Sequence, residues 1–596
     1  MLPDVSETLL DEENHLIFEK NVSVPLKNGG LVRCNVYRPI EEGQYPCLVT
    51  YGPYGKDIPY EKFHPKSFSE VNPAHKSKYS AWETPDPVFW THHQYIVIRA
   101  DEQGLGQSPG TLNTMSAETA AGFAQVVEWA AEQPWSTGKV GLVGVSYYAG
   151  TQWRVAALKP KGLACIIPHE GMSDYYRDRC RHGGILSNRF ISFWWNRQVI
   201  TNQYGRPDRA AAEWGDDPID GALSEADRLH NLCDQNTDNA ANRYLDDEYY
   251  ASTVFRLEDI EVPVLSVANW GGISLHLRGN VEGYTWAGAG RKWLRFIVGR
   301  HDLPFYYDEE VKVQHSFLEA FLRDNDYAGW MAGKVAPVSL TLRRGDVGFN
   351  NPVGERAFPR REEMEWPLAR TVYTRYYLTP GGGLDEKYAP AAEEAASRLT
   401  YAVDSSGASD TAMKLQFSTA PAPAELEVTG HIVAHLCVSV DCGSTPPPSD
   451  LELDVFATLR HFSAAGNEVH YTGSSGDAVP VTKGWLRVSL RKTNPESPYH
   501  RPYLPRREYR SVDVLPVKAG EIYACDVELW PTNVVVEKGG RLVFEVSAND
   551  TEGSGLFQHN SEVDRPPAKF GQTNAIHFGE GQENCLVLPV IPAEGA

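Results

Sequence analysis

The chain has 596 residues, which is too long for one hydrophobic core and predicts roughly two or three domains. Its composition is that of a globular protein, with 42% apolar, 11% aromatic and 22% charged residues. A formal net charge of −22 argues against nucleic acid and anionic membranes as partners.

Targeting and cysteine features favour a cytoplasmic protein. No stretch approaches the about 18 apolar residues of a membrane span, and the acidic N-terminus has no apolar signal-peptide core. The nine cysteines are scattered, and no Cys/His group has the spacing of zinc ligands. We therefore expect reduced thiols and neither a metal nor an organic cofactor.

The first part of the chain alternates strands with helices. Buried strand-like runs lie at 95–101, 140–143 and 163–167. A helix is predicted over 117–132, where apolar residues recur at helical spacing, and another over 151–158. This alternation is typical of a parallel sheet covered by helices.

The pattern then changes twice. Between about 172 and 258 aromatic and charged residues mix at helical spacing, which predicts an inserted helical cap or, alternatively, a helical domain unrelated to any site. After about 346, short alternating strands between Gly, Pro and Asp turns predict a β-sandwich or jelly roll. The predicted boundaries are 1–171 and 259–345 for a two-part α/β domain, 172–258 for the cap and 346–596 for the sandwich.

The segment GVSYYAG (144–150) is similar to the nucleophile elbow G-x-S-x-G. In that motif a strained turn raises a serine hydroxyl above the sheet, beside the N-terminus of the next helix. Tyr148 occupies the position of the second glycine, but Ala149 and Gly150 supply small residues immediately afterwards. The pattern therefore favours Ser146 as a nucleophile over a serine in an ordinary turn.

Several separated stretches resemble one family of α/β-hydrolases, the cocaine-esterase/X-prolyl dipeptidyl peptidase-like (CocE/NonD, peptidase S15) family. They are PLKNGGLVRCNVYRP (25–39), YGPYGK (51–56), ADEQGLGQSPG (100–110), GVSYYAGTQW (144–153), GWLRVSLRK (484–492), LPVKAGEIY (515–523) and VELWPTNVVVEKGGRLVFEVS (527–547). The resemblance implies an α/β-hydrolase with a helical cap and a C-terminal jelly roll. It also implies a serine hydrolase that forms an acyl-enzyme on Ser146.

The base is expected to be a histidine after the last strand of the sheet. His301 follows the strand-like run 295–299, and the family places its histidine at the same point. The histidines in other loops are the alternatives: His92, His93, His169 and His276.

The oxyanion hole needs donors aimed at the carbonyl oxygen. The backbone N–H of Tyr147, which follows the nucleophile, is one expected donor. The resemblance implies that the hydroxyl of Tyr54, in YGPYGK, is the second.

The carboxylate expected to orient the histidine departs from the family pattern. Relatives carry an aspartate after the penultimate strand, but the segment VLSVANWGGISLH (264–276) has glycines there. An α/β-hydrolase can instead draw its acid from the loop one strand earlier, which offers Glu170. Asp302 and Glu282 are the alternatives, and Glu170 could equally form a salt bridge at the cap hinge.

The segment 270–278, where relatives bind a substrate ammonium group, has no carboxylate and carries Arg278. We therefore predict uncharged, bulky acyl esters in preference to amides, α-amino esters and X-Pro peptides. The expected substrate-binding residues are aromatic: Phe193, Trp194 and Trp270. If an ammonium site exists elsewhere, the cap acids Asp174 and Asp178 could form it.

Other functions are compatible with this sequence. An acyltransferase and an X-Pro or α-amino acyl peptidase would share the site, and an inactive binding protein could keep the fold. GLGQSPG (104–110) lacks the spacing of a dinucleotide-binding loop. The expected partner is a small-molecule ester, and a homodimer is an open alternative.

Overall fold

The computed structural model describes residues 5–387, 397–403, 413–443 and 447–593. Its first sheet has eleven strands in the order β1-β2-β3-β5-β4-β6-β7-β10-β11-β12-β13, and β8 and β9 form a separate hairpin. The strands are β1 (Glu7–Asp11), β2 (Leu16–Pro25), β3 (Leu31–Pro39), β4 (Tyr45–Gly52), β5 (Ile96–Asp101), β6 (Ser136–Val145), β7 (Leu163–His169), β8 (Arg181–His182), β9 (Ile185–Leu186), β10 (Val264–Asn269), β11 (Lys292–Ile297), β12 (Val338–Thr341) and β13 (Arg360–Glu363).

The centre of this sheet, from β5 through β4, β6, β7, β10 and β11 to β12, is parallel, and its flanks are antiparallel. The end of β6, residues 140–145, is buried throughout, as expected of a parallel strand covered on both faces. The carboxyl ends of β6, β7, β10 and β11 therefore meet at one edge, where ligand sites of open α/β sheets lie.

Twelve α-helices are described. They are α1 (Tyr60–Phe63), α2 (Pro65–Glu70), α3 (Pro87–His92), α4 (Ala117–Glu132), α5 (Tyr147–Ala157), α6 (Asn188–Trp194), α7 (Glu225–His230), α8 (Gln235–Ala241), α9 (Glu248–Ala251), α10 (Leu277–Trp286), α11 (Asp308–Leu322) and α12 (Pro352–Arg356). Helix α4 matches its predicted range, and the Ser116 hydroxyl caps it by accepting the Thr119 N–H. Helices α5 and α11 pack on β6 and β7, and α10 packs on β10 and β11.

The cap lies between β7 and β10. It consists of short pieces rather than long helices: α6 to α9, the β8–β9 hairpin, and π-helical turns at Tyr175–Cys180 and Trp195–Val199. The predicted fold class, an α/β-hydrolase with an inserted cap and a C-terminal β-domain, is confirmed.

The C-terminal domain is an antiparallel β-sandwich. Its strands are β14 (Val372–Leu378), β15 (Leu384–Asp385), β16 (Ser397–Ala402), β17 (Lys414–Ser418), β18 (Leu426–Asp441), β19 (Asp454–Phe462), β20 (Glu468–Val469), β21 (Tyr471–Thr472), β22 (Ala478–Val479), β23 (Thr482–Arg487), β24 (Tyr523–Val536), β25 (Arg541–Ser547), β26 (Thr573–Phe578) and β27 (Cys585–Ile591). The boundary predicted at 346 falls inside the first sheet, because β13 pairs with β12.

One apolar core joins the two sheets. Trp270 and Phe296 of the α/β domain belong to the same buried cluster as Val428 and Leu529 of the sandwich. The free thiols include Cys34, Cys47, Cys165, Cys180, Cys233, Cys437, Cys525 and Cys585. Among the described residues, no helix combines the length and apolar character needed to cross a bilayer.

Candidate active site

Ser146 sits in a strained turn between β6 and α5, with φ 62° and ψ −117°. Its backbone N–H donates to the carbonyl oxygens of His169 and Glu170 at 3.2 and 3.1 Å, which ties the turn to the end of β7. Helix α5 begins at the next residue, four positions before its predicted start at 151. This early start leaves the first amides of the helix pointing at the serine.

Tyr148 fits in place of the second elbow glycine because two other glycines make room for it. A β-carbon on Gly52 would lie 2.8 Å from the Tyr148 ring, and one on Gly144 would lie 2.7 Å from Tyr148 Cβ. The space that the usual motif gains from its second glycine is therefore provided by β4 and by the first elbow glycine.

A cavity of about 310 Å³ opens at Ser146. The α/β domain, the cap and the sandwich all contribute to its walls. Its lining includes Tyr54, Trp82, Phe190, Phe193, Trp194, Leu275, His301, Leu556 and Phe557. Aromatic and aliphatic side chains thus form one part of the wall, and Ser146 and His301 share the rest with polar and charged side chains, among them His64, Lys66, Gln198, Arg300 and Asp302.

Glu170 and His301 form a buried pair at the ends of β7 and β11. Glu170 Oε2 lies 2.8 Å from His301 Nδ1, and Glu170 Oε1 accepts a hydrogen bond from Asn269 Nδ2 at 3.1 Å. Glu170 is fully buried, with φ 51°. Because a carboxylate faces Nδ1, this nitrogen carries the hydrogen and the lone pair of neutral His301 lies on Nε2.

A second carboxylate faces the other side of His301. Glu83 Oε1 lies 3.1 Å from His301 Nε2, which is ion-pair distance, although the two atoms are not aligned as a hydrogen bond. Burial raises the pKa of the Glu83 carboxyl to about 7. Burial alone would lower the pKa of His301, but the two carboxylates outweigh it and raise that pKa well above its usual value.

The hydrogen-bond partner of Ser146 Oγ is His276, whose Nε2 lies 3.2 Å away. The Met172 N–H donates to His276 Nδ1 at 3.1 Å. A backbone amide can only donate, so the hydrogen of neutral His276 lies on Nε2. His276 therefore cannot accept the serine proton at Nε2. The Nε2 of neutral His301 carries a lone pair and can accept a proton.

The two expected oxyanion donors lie beside the serine. The Tyr54 hydroxyl accepts a hydrogen bond from Trp194 Nε1 at 2.9 Å, so its own hydrogen is available for donation. Burial raises the pKa of Tyr54 well above its usual range, which keeps the hydroxyl protonated. Tyr147 is the first residue of α5, and its amide has no acceptor within the helix.

Trp270 does not reach the cavity. Its ring is fully buried, stacks on Phe296 at 3.8 Å and donates to the Thr341 carbonyl at 2.8 Å. Its backbone amide bonds to Ile297, so residue 270 continues β10 and turns its side chain toward the sandwich. The prediction that Trp270 binds substrate is corrected, whereas Phe193 and Trp194 do line the cavity.

The alternative carboxylates have other partners. Asp302 accepts hydrogen bonds from Ser67 and from Trp82 Nε1, and it pairs with Arg300 at 3.1 Å. Glu282 accepts the Trp286 indole N–H at 3.0 Å. The structure therefore brings Glu170, and neither Asp302 nor Glu282, to a ring nitrogen of His301.

The remaining candidates lie away from the serine hydroxyl. His92 and His93 bond to backbone carbonyls, and the ring nitrogens of His169 have no hydrogen-bond partner in the described part of the chain. The cap acids are paired with arginines: Asp174 with Arg177, and Asp178 with Arg278.

Sequence reasoning missed Glu83 and did not foresee the contacts of His276. Glu83 lies in the loop between α2 and α3, and nothing in its surrounding sequence, AWETPDP (81–87), resembles a motif. In the sequence, His276 was one of several histidines in loops, and nothing else distinguished it. Both reach the site through tertiary packing alone.

A mostly parallel sheet that ends in a strained serine turn is the arrangement of α/β-hydrolases, and this chain has it. Residues 28–299 match the family model "X-Pro dipeptidyl-peptidase (S15 family)". Residues 332–587 match "X-Pro dipeptidyl-peptidase C-terminal non-catalytic domain". The two models follow each other along most of the chain.

Comparisons with individual proteins support the same family. The cocaine esterase of Rhodococcus sp. (strain MB1 Bresler) is 26% identical, with 96% of this chain and 98% of the relative aligned. A CocE/NonD family hydrolase from Staphylococcus aureus superposes with a TM-score of 0.80 at 25% identity, covering 97% of this chain and 94% of the other. An α-amino acid ester hydrolase shares the fold at 15% identity, with a TM-score of 0.66 and 99% of both chains covered.

The chain belongs to the cocaine-esterase/X-prolyl dipeptidyl peptidase-like (CocE/NonD, peptidase S15) family. It is a hydrolase of this family, which contains both ester hydrolases and peptidases.

Proposed function

We propose that this protein is a serine hydrolase that cleaves carboxylic esters, in preference to amides, through an acyl-enzyme on Ser146. One observation carries the proposal: the strained Ser146 and His301, whose Nδ1 faces Glu170, line the same cavity. A nucleophile, a base and an acid that orients the base are the parts that acyl transfer needs.

In the first half-reaction Ser146 Oγ attacks the ester carbonyl and its proton passes to His301 Nε2. The π-electron pair moves to the carbonyl oxygen, where the Tyr54 hydroxyl and the Tyr147 amide donate hydrogen bonds. Collapse of the intermediate expels the alcohol, which takes the proton from His301. Water then attacks the acyl carbon by the same steps, and Oγ leaves with a proton.

Glu170 holds the Nδ1–H of His301 and stabilises the imidazolium that forms. In the substrate-free site His301 Nε2 faces Glu83. We expect the Oγ–Nε2 hydrogen bond to form when substrate binds, because catalytic hydrogen bonds often tighten only in that complex.

We infer a preference for uncharged, bulky acyl groups. The aromatic walls suit such groups, and the lining carboxylate of Asp302 is already paired with Arg300. A substrate ammonium group would lose its hydration in this cavity without gaining an unpaired carboxylate from the lining, and Asp174 and Asp178 are paired as well.

The test of the chemistry is hydrolysis of a short aryl ester by the wild type and by Ser146→Ala. We expect turnover and fluorophosphonate labelling to disappear in the variant while its melting temperature is kept. Undiminished turnover would contradict the proposal. Wild-type protein that folds but does not label would instead indicate a binding protein, and transfer to added alcohols would indicate an acyltransferase.

The test of the substrate class is a parallel assay of a benzoyl ester, a phenylglycine ester and an X-Pro anilide. We expect the largest kcat/KM for the benzoyl ester. Faster cleavage of either amino substrate would mean that an ammonium site exists and that the substrate inference is wrong.

A further inference from the structure

The second histidine at the nucleophile is a fixed hydrogen-bond donor. His276 is 2% exposed, and its Nδ1 is occupied by the Met172 N–H at 3.1 Å. Its Nε2–H therefore points at Ser146 Oγ, 3.2 Å away. This polarity does not depend on a titrating partner, because the group that sets it is a backbone amide.

The bond from His276 determines where the serine hydrogen can go. A hydroxyl has one hydrogen and two lone pairs. His276 occupies one lone pair of Ser146 Oγ, so the hydrogen must be directed at a different acceptor. In the proposed mechanism that acceptor is the Nε2 lone pair of His301, which lines the same cavity as Ser146.

His276 can lie against His301 without competing for its proton. The two rings stack with centroids 5.1 Å apart and planes 14° apart. A proton added to His276 would have to sit on Nδ1, against the Met172 N–H. Burial and the neighbouring His301 also hold the pKa of His276 well below its usual value.

We propose that His276 is a further catalytic residue, whose neutral imidazole donates its Nε2–H to Ser146 Oγ while charge builds on that oxygen. The inference rests on the proposed nucleophilic role of Ser146. During attack the Oγ–H bond breaks, its proton moves to His301 and the Oγ–C bond forms. During deacylation the C–Oγ bond breaks, its electron pair returns to Oγ, and His301 returns the proton. His276 keeps its own proton throughout.

Two substitutions test the roles of the two His276 ring nitrogens separately. The side-chain oxygen of His276→Asn can replace Nδ1 and accept the Met172 N–H, but its amide cannot reach Oγ. The amide of His276→Gln can replace the Nε2–H donor. We expect H276N to lose about 10²-fold in kcat and in the rate of fluorophosphonate labelling, as when one catalytic donor is removed. H276Q should recover most of that loss.

The pH profile distinguishes a donor from a base. Both variants should keep the acid limb of kcat/KM at the wild-type pH, because His276 does not titrate in this range. Wild-type rates in H276N would overturn the inference, and so would equal loss in H276Q and H276N or loss of the acid limb. If H276N melts early, His276→Met, which has similar length and no donor, replaces it in the comparison.

Failure of this inference can be told from failure of the proposed function. An inactive Ser146→Ala beside a fully active H276N would remove only the role of His276. An active Ser146→Ala would remove the nucleophile and both conclusions with it.

Discussion

At the residue scale, the proposed acid, Glu170, is the strongest departure from the pattern that the family resemblance implies. Glu170→Gln keeps the shape of the side chain but can present an N–H to His301 Nδ1, which favours the wrong tautomer. We expect kcat for an aryl ester to fall by about 10⁴-fold, as when a triad acid is replaced by its amide.

The matched control is Glu282→Gln, a buried glutamate bonded to Trp286 and not to His301. It should stay within a few-fold of the wild type. A Glu170→Gln variant that matches this control would mean that the site runs without this carboxylate.

Glu83 should set the pH dependence. His301 must be neutral to accept the serine proton, so kcat/KM falls as pH falls through its pKa, which two carboxylates raise. Glu83→Gln removes one of these charges and disfavours the imidazolium. We therefore expect the acid limb of the kcat/KM profile to move to lower pH.

Glu102→Gln is the control for this shift. Burial raises the pKa of Glu102 to about 8, but its carboxylate bonds to the Tyr147 hydroxyl and not to His301. Its acid limb should stay in place. An unmoved or raised limb in Glu83→Gln would show that Glu83 does not act on the base.

At the element scale, one short segment after β7 positions both histidines. Glu170 contacts His301, and the Met172 amide contacts His276. Gly171 between them packs against α5, where a β-carbon would lie 2.6 Å from Ala149 Cβ and 2.7 Å from its carbonyl carbon. Any larger residue must push the segment away from α5 and Ser146.

We therefore expect Gly171→Ala to lower kcat by about 10²-fold, the cost of misplacing catalytic groups by roughly 1 Å. Gly290→Ala is the control, because a β-carbon there meets nothing within 4 Å. Steady-state kinetics of both variants measure this loss, and thermal melting shows whether either variant has lost stability. Unchanged kcat in Gly171→Ala would show that the segment tolerates displacement.

The sequence predicts secondary-structure elements better than it predicts side-chain contacts. The helix at 117–132 could be placed because its apolar spacing and Ser116 cap are local, whereas the start of α5 could not, because the elbow turn determines it. Ser146 and His301 could be selected because each lies in the turn or loop that follows a strand. Glu83 could not be, since it reaches His301 only when its loop packs against the sheet.

At the scale of the whole molecule, the sandwich supplies part of the cavity. Phe557 lines it and stacks on Phe190 of the cap, with ring centroids 4.8 Å apart. Phe557→Ala should raise KM for a benzoyl ester by about 10-fold, the scale of losing part of a buried aromatic contact. KM for an acetyl ester should change little, since a small acyl group does not extend to that wall.

Val563→Ala is the control, because Val563 is 64% exposed and lies in the same region of the sandwich without lining the cavity. Parallel KM measurements for the two esters test the assignment. Equal effects of Phe557→Ala on both esters would indicate a general disturbance of the site instead of a lost contact.

The order of the site residues along the chain has a consequence for synthesis on the ribosome. Ser146 and Glu170 belong to one β–α–β unit, β6–α5–β7, and His276 and His301 to another, β10–α10–β11, with the cap between them. A growing polypeptide that has emerged only as far as the cap holds the proposed nucleophile and acid but neither imidazole. We therefore expect nascent chains to stay unreactive toward a fluorophosphonate until the second unit has been translated and docked.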